Sequence, residues 1–396
     1  MGTEPLRVVL YSHDSQGLGH LRRNLAIAHH LAQGIPALTG RKVAGLIVSG
    51  LAPTFRFPLP DGFDWVTIPG ISKGKDGYQP RHLGGETGPL ISLRSALLEA
   101  ALVGFAPDLV IVDRHIYGVW HELRAPLRRL RRVHPSARVV LGLREVLDTP
   151  HVVAAEWERL GKPTALRSLV DQVWVYGDPQ VHDQVLSGEA PPALCDRIEF
   201  TGYLAHGRRI TDAFDHTLSG PFVLTTAGGG EDGHGLLAAA VRATPPPGHT
   251  HVVVTGPQLD DATFTQLAAA AGPATQVLRS LPGLGRHIAS AAAVVSMCGY
   301  NTACEILDTD TPSLIVPREI PRQEQLIRAR ALEKVGAVDV LEQSQVSSAA
   351  LSQWLATAVR RRVDRSQVDG DGLQRVSQLA AQLLELPARA LVGGAA

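Results

Sequence analysis

Cysteine is scarce in this chain: 396 residues carry three, Cys195, Cys298 and Cys304. They form no Cys-x-x-Cys pair and no Cys/His metal spacing, and an odd one is left over, which argues against a disulfide framework and fits a reducing compartment. Net charge is missing too. Lys+Arg and Asp+Glu both number 38, so no excess of basic charge draws the chain onto nucleic acid. No apolar run approaches the ~20 residues needed to span a bilayer. A strand pattern begins almost at once, without the basic and long apolar segments of an export signal. These absences lead us to expect a cytoplasmic protein that is not transmembrane and binds no nucleic acid.

What is present is a long alternation of strand and helix patterns. A hydrophobic fraction of 44% can fill two packed cores, and the length suits two domains of about 200 residues each. Aliphatic runs at Leu6–Ser12, Val43–Ser49, Asp64–Ile68, Leu109–Asp113, Arg138–Leu143 and Gln172–Tyr176 read as strands, with amphipathic segments such as Leu21–Ala32 and Ser92–Val103 between them. A second series runs through Pro221–Ala227, His251–Thr255, Gln276–Leu278, Ala293–Met297 and Ser313–Val316. Such alternation implies right-handed βαβ units and doubly wound parallel sheets. We place domains at residues 1–205 and 206–370, and a C-terminal helix at 371–396 that could cross back onto the first domain.

Three segments carry chemistry. "DSQGLGH" leads from the first strand into a helix: Gly17 and Gly19 allow a tight turn, and His20 stands at the helix entrance, where an imidazole can accept a proton or simply pack. "TTAGGGEDGHG" follows a later strand, and backbone amides around Gly228, Gly229 and Gly230 can hold a diphosphate. Glu231 and Asp232 read as capping residues there, because carboxylates compete with phosphate for the same amides. Third, "VVSMCGYNTACE" runs from strand to helix. Thr302 and Glu305 have the spacing of a capping box, which taken alone is the plainer reading.

Together these segments resemble glycosyltransferase family 28, whose members have the GT-B fold of two Rossmann-like domains facing a cleft. Gly19-His20 with "LAIAHHL" is similar to the family's N-terminal glycine loop and helix, although Asp14-Ser15-Gln16 replaces its usual extra glycines. Ser296, Gly299, Thr302 and Glu305, with Asn301 among them, match the Ser-x-x-Gly and Thr-x-x-Glu pattern. The resemblance implies that Glu305 binds the nucleotide ribose. A carboxylate can accept two hydrogen bonds from a cis-diol. Val316-Pro317 followed by Glu324-Gln325 matches the family's paired polar element for the donor sugar, and Arg322 could approach the diphosphate. Where the family usually has Asn-Ala, this chain has Arg328-Ala329.

The resemblance therefore implies an acceptor-binding first domain, a donor-binding second domain, and transfer from a nucleoside-diphosphate sugar, UDP favoured, to an acceptor it does not identify. The expected chemistry is direct displacement with inversion. His20, Asp113 and Glu145 are rival general bases, with His20 preferred narrowly, and Arg144 lies on the acceptor side. No Asp-x-Asp triplet stands in either glycine loop, so no metal or other cofactor is expected. The stretch Arg114–Pro135, with six arginines, reads first as a solvated helix face and second as a peripheral membrane contact. A nucleotide-sugar epimerase or hydrolase on the same fold, and a non-catalytic sugar-nucleotide-binding protein, are the rival readings.

Overall fold

The computed structural model describes residues 4–13, 18–51, 57–74, 77–208, 218–229 and 232–385. The first half builds a seven-stranded sheet from β1 (Leu6–Tyr11), β2 (Val43–Ser49), β3 (Phe63–Thr67), β6 (Leu109–Asp113), β7 (Arg138–Arg144), β8 (Gln172–Tyr176) and β9 (Ile198–Phe200). A small antiparallel hairpin, β4 (Ile71–Gly74) and β5 (Gly77–Pro80), lies outside it. The order is β3-β2-β1-β6-β7-β8-β9, and every neighbouring pair is parallel. Helices α1 (Gly19–Thr39), α2 (Thr87–Phe105), α3 (Arg124–Val133), α4 (Pro150–Glu158) and α5 (Pro163–Leu169) lie between its strands in the chain.

The second half builds a six-stranded parallel sheet, β12-β11-β10-β13-β14-β15, from β10 (Phe222–Thr226), β11 (Thr250–Val254), β12 (Thr275–Leu278), β13 (Val294–Ser296), β14 (Ser313–Ile315) and β15 (Asp339–Val340). Its helices are α6 (His234–Ala240), α7 (Asp261–Ala269), α8 (Leu284–Ser290), α9 (Tyr300–Leu307), α10 (Glu324–Lys334) and α11 (Ser348–Ala358). Strands such as β6, β10 and β13 are buried along their whole length. Burial on both faces explains their continuous aliphatic runs. The expected architecture, two doubly wound α/β sheets, is the one observed.

The last helix, α12 (Gly372–Glu385), returns to the first half and packs on α1. Its Val376, Leu379, Ala380 and Leu383 are buried in the same core cluster as Leu21, Leu25, Ile27 and Leu31 of α1. The two helices approach so closely that a Cβ at Gly34 would lie 2.6 Å from the Ser377 Cβ, and Ser377 Oγ donates to His30 O at 3.2 Å.

Three local expectations change. α2 is long and apolar enough to cross a membrane by length and composition, with a mean hydropathy of 1.3, although Leu90, Arg94, Leu98 and Leu102 are buried. Counting uninterrupted apolar residues overlooked it because Arg94 and Glu99 break the run. The arginine-rich segment is helical only over Arg124–Val133, and Arg114 and His121 before it adopt positive φ. It is also not one solvated face. Arg114 and Arg131 are buried and paired with Glu156 and Asp171, leaving Arg128, Arg129 and Arg132 exposed on α3. The β4–β5 hairpin and β15 escape the strand pattern, being too short and too interrupted by glycine and polar residues to show alternation.

The two sheets are joined by a fully buried ion pair. Arg328 on α10 donates through Nε to Glu145 Oε1 at 2.5 Å and through Nη2 to Oε2 at 3.1 Å. Both side chains have zero exposure, and Arg328 Nη1 also donates to Cys298 O at 2.9 Å. Breaking such a pair on one side strands a charge in a low dielectric, at about 3–5 kcal/mol. Glu145→Gln and Arg328→Met should each destabilise by about that much in urea denaturation. The double variant should cost clearly less than the sum, because no charge is then left alone. Strict additivity would mean the pair does not form.

Candidate active site

Each sheet reverses its winding once. In the first the reversal lies between β1 and β6, in the second between β10 and β13. Loops leaving the carboxyl ends of strands at such a point diverge and open a crevice. The candidate residues collect at these two places.

At the first, His20 lies in the opening turn of α1 and Asp113 ends β6. His20 Nδ1 is 2.9 Å from Asp113 Oδ2, and Arg23, one helical turn on, donates to both carboxylate oxygens at 2.8 and 2.6 Å. Asp113 is 1% exposed while the His20 side chain is 21% exposed, so the imidazole and not the carboxylate reaches the cleft. Burial alone would raise the Asp113 carboxyl, but Arg23 and then His20 outweigh it and hold it well below the usual carboxylate range. An ionised Asp113 accepts from Nδ1–H and leaves Nε2 of His20 with a free lone pair. Asp113 is thereby a partner of His20 and not its rival.

His13 and His115 complete the cluster, with ring centroids 4.5 Å between His13 and His20 and 4.9 Å between His13 and His115. Burial holds both far below the ordinary imidazole value, with neighbouring positive groups adding to the effect, so they are neutral rings.

Two other expected acceptor-side residues lie deeper. Glu145 is closed off by Arg328, which removes it as a base. Arg144, at the end of β7, is only partly exposed, and no carboxylate among the described residues pairs with it. Burial, then Arg328 and Arg23, lowers it to about 10.

At the second reversal point, β10 runs into the turn at Gly228 and Gly229, and β13 into Gly299 and α9. Gly228 has φ 67°, a left-handed conformation that glycine adopts without cost. The capping-box reading of Thr302 and Glu305 fails. The helix cap is Gly299, which brings no side-chain hydrogen bond, and Thr302 is already the third helical residue. The α9 start thus presents amides that no capping side chain occupies.

Two cavities flank this helix. One, of about 140 Å³, is lined by Gly228, Gly229, Asp232, Gly299, Thr302 and Gln325 among others. The second, of about 150 Å³, lies between α1 and α8–α9, with Arg22, His29, Gly283, Gly285, Arg286 and Glu305 in its wall. Glu305 is 8% exposed. Its Oε1 accepts from Arg22 at 2.5 Å and its Oε2 has no partner. Ser296 Oγ and Glu324 Oε2 are likewise buried without partners. Leaving such atoms unpaired costs about 1–3 kcal/mol each, and of the three residues Glu305 lines the second cavity.

The remaining expected residues divide. Gln325 Oε1 accepts from Arg318 N at 3.1 Å at the edge of the first cavity. Asn301 donates to Gly19 O at 2.9 Å and accepts from Arg208 at 2.7 Å, tying α9 to the start of α1. Arg322 pairs with Asp148 at 3.2 Å and Glu156 at 2.9 Å on the first half. It is committed to bridging the halves and not to a diphosphate. Gly17, Gly230 and Glu231 lie outside the described residues. Sequence reasoning missed Arg22, Arg23 and Arg318. The i, i+3 spacing of His20 and Arg23 on one helix face was the available signal. Arg318, paired with Asp232 at 2.6 Å and with Glu324, follows Val316-Pro317 directly.

Residues 240–382 match the model of the glycosyltransferase family 28 C-terminal domain. Solved structures agree on the fold. MurG of Acinetobacter baumannii is 16% identical, with a TM-score of 0.54, covering 96% of this chain and 100% of its own. A UDP-glucosyltransferase from Polygonum tinctorium is 11% identical with a TM-score of 0.58, over 98% of this chain and 100% of that one. A Listeria monocytogenes protein described as a UDP-N-acetylglucosamine 2-epimerase is 12% identical, with a TM-score of 0.57 over 96% of each chain. No curated protein matches the sequence. The fold is that of the GT-B glycosyltransferases. More narrowly, over residues 240–382 the chain is similar to the C-terminal domain of glycosyltransferase family 28.

The neutral imidazoles give a pH test. Because the folded values of His13 and His115 lie below the ordinary one near 6.5, their stabilisation is complete above about pH 6.5 and is lost as pH falls below it. His115→Asn should flatten the acid limb of a stability–pH curve by up to about 1.4 kcal/mol per pH unit. Parallel curves for variant and wild type would show that His115 is not buried neutral.

Proposed function

We propose that the protein transfers a sugar from a nucleoside-diphosphate sugar to an acceptor hydroxyl, with inversion and without a metal. The observation that carries this reading is the convergence of both reversal points on one cleft. A carboxylate-held imidazole stands on one side, and a glycine turn with an uncapped helix start on the other. UDP is favoured, since two of the structural neighbours carry UDP sugars in their names.

In this reading His20 Nε2 takes the acceptor proton as the hydroxyl attacks the anomeric carbon. Asp113 holds the ring and stabilises the imidazolium, while Arg23 fixes Asp113. The leaving diphosphate gathers charge against the amides at Gly228–Gly229 and the start of α9, where preorganised dipoles need no reorganisation. Glu305 Oε2 takes the ribose hydroxyls, and Glu324 and Gln325 the hydroxyls of the sugar. The cavity at Gly283–Arg286 has room for the base. No metal is called for, because amides and helix dipole supply the positive potential. A reducing, cytoplasmic setting fits the cysteine usage.

Calorimetry with UDP, dTDP and GDP, alone and as sugar conjugates, tests the donor side. Glu305→Ala should weaken every nucleotide that shares the ribose, and Gln325→Ala the sugar conjugates more than the free diphosphates. Equal losses for both variants across both ligand types would reject this division. For the chemistry, His20→Ala and Asp113→Asn should keep donor binding and lose about 10²–10⁴ in transfer, read as diphosphate release in an acceptor screen. The epimerase-like neighbour motivates one rival, which predicts donor turnover with no acceptor present. Donor binding with no transfer, indifferent to His20, would instead identify a non-catalytic binding protein.

A further inference from the structure

Among the described residues Arg144 is a cation without a counter-ion, whereas most of the guanidinia around it have one. Arg23 holds Asp113, Arg114 holds Glu156, Arg322 holds Asp148 and Glu156, Arg318 holds Asp232 and Glu324, and Arg328 holds Glu145. Arg144 pairs with no carboxylate among the described residues, and its Nε is buried with no hydrogen-bond partner. Its backbone is engaged, in the β7–β8 ladder and through its carbonyl, which accepts from Gln184 Nε2 at 2.5 Å. An arginine cannot shed its proton at neutral pH, so the charge remains there. Its strongest charged neighbours are other guanidinia, Arg328 and Arg23, and they oppose its charge.

Its location gives this a meaning. Arg144 ends β7 in register with Tyr176 of β8, two residues beyond Gly142, which pairs with Asp113 of β6. It therefore ends the strand next to the one that carries Asp113, on the same side of the sheet's carboxyl edge, with Arg23 among its charged neighbours. The acid that most favours its charge is Glu324, at the start of α10 across the cleft. Glu324 in turn keeps Oε2 buried and unpartnered. A cation with no carboxylate partner and a carboxylate oxygen with no partner thus lie at facing strand and helix ends of the two halves, the sides between which the proposed reaction would take place. A structural arginine would be expected to find carbonyls or a carboxylate, as Arg365 does with the carbonyls of Ala337, Thr309 and Thr311.

We propose that Arg144 is a specificity residue that receives an anionic group, a carboxylate or phosphate monoester, carried by one of the two sugar-transfer substrates next to the reacting carbon. The assignment rests on the glycosyl-transfer reading. It narrows the substrate class to a uronate-type donor or an acceptor with an acidic group near its reactive hydroxyl. The planar fork of the guanidinium matches both groups bidentately. Glu324 Oε2 accepts a neighbouring hydroxyl and repels an anion placed on the wrong side.

The test compares wild type, Arg144→Gln and Arg144→Lys by calorimetry. The donor arm uses UDP-glucose against UDP-glucuronate, or the corresponding pair on whichever diphosphate binds. The acceptor arm titrates diphosphate-loaded protein with glycerol 3-phosphate against glycerol. The expected result is at least a tenfold preference for the anionic member in one arm, lost in Arg144→Gln and partly kept in Arg144→Lys. The arm in which it appears identifies the source. Diphosphate binding with no preference in either arm, or a preference that survives Arg144→Gln, overturns the proposal and leaves the transferase reading standing. No diphosphate binding at all removes the reading and this proposal together. Thermal melting without ligand adds an independent check. Arg144→Gln should melt at or above wild type, and a clear loss would mark Arg144 as a packing residue and overturn the assignment.

Discussion

The arrangement of this molecule depends on how Tyr300 and its two guanidinium neighbours join the sheets. Arg23 and Arg328 both approach the Tyr300 ring, with guanidinium carbons 5.4 and 5.7 Å from its centre. Its hydroxyl donates to Tyr176 O at 2.9 Å and accepts from Leu204 N at 3.2 Å, both on the opposite side of the cleft. Arg23 then fixes Asp113, and Arg328 fixes Glu145. One aromatic residue at the start of α9 thereby links the donor-side helix to the His20–Asp113 pair. Desolvating two arginines is costly. Saturating each with a carboxylate and a ring face offsets that cost and leaves little freedom of position.

This joint explains why the cleft can be both narrow and polar. Around it run three further bridges: Arg322 to Asp148 and Glu156, Asn301 to Gly19, and Arg22 to Glu305. The last occupies one oxygen of the carboxylate assigned to the ribose and leaves the other open. The walls of the candidate site are already set by ion pairs, which would lower the ordering cost of binding a ligand there. α12, buried against α1, ties the chain terminus into the same first-half core.

Much of this was legible in the sequence, and the failures are instructive. The strands were readable because burial on both faces forces uninterrupted aliphatic runs, as at Leu109–Val112 and Val294–Val295. Ser296, Gly299, Thr302 and Glu305 were readable because a strand–turn–helix fixes their relative places over a few residues. Arg322 went astray for the opposite reason. It follows strand β14 as expected, but its long side chain reaches carboxylates more than 160 residues away in sequence. Glu145 and Asp113 looked equivalent at two strand ends. Only their partners, Arg328 in one case and Arg23 with His20 in the other, separate a charge closed off in an ion pair from one that holds an exposed imidazole.

The sequence by itself determined the two parallel sheets, the loops at their carboxyl ends and the residue types offered there. Periodicity and glycine placement are local properties that a single chain displays. Tertiary structure alone decided which charges neutralise one another, that Thr302 is no helix cap, and that Arg144 pairs with no carboxylate among the described residues. Those outcomes depend on distances between segments far apart in the chain and on the burial of each group. An ion pair stronger than solvation exists only where folding has removed water from both partners.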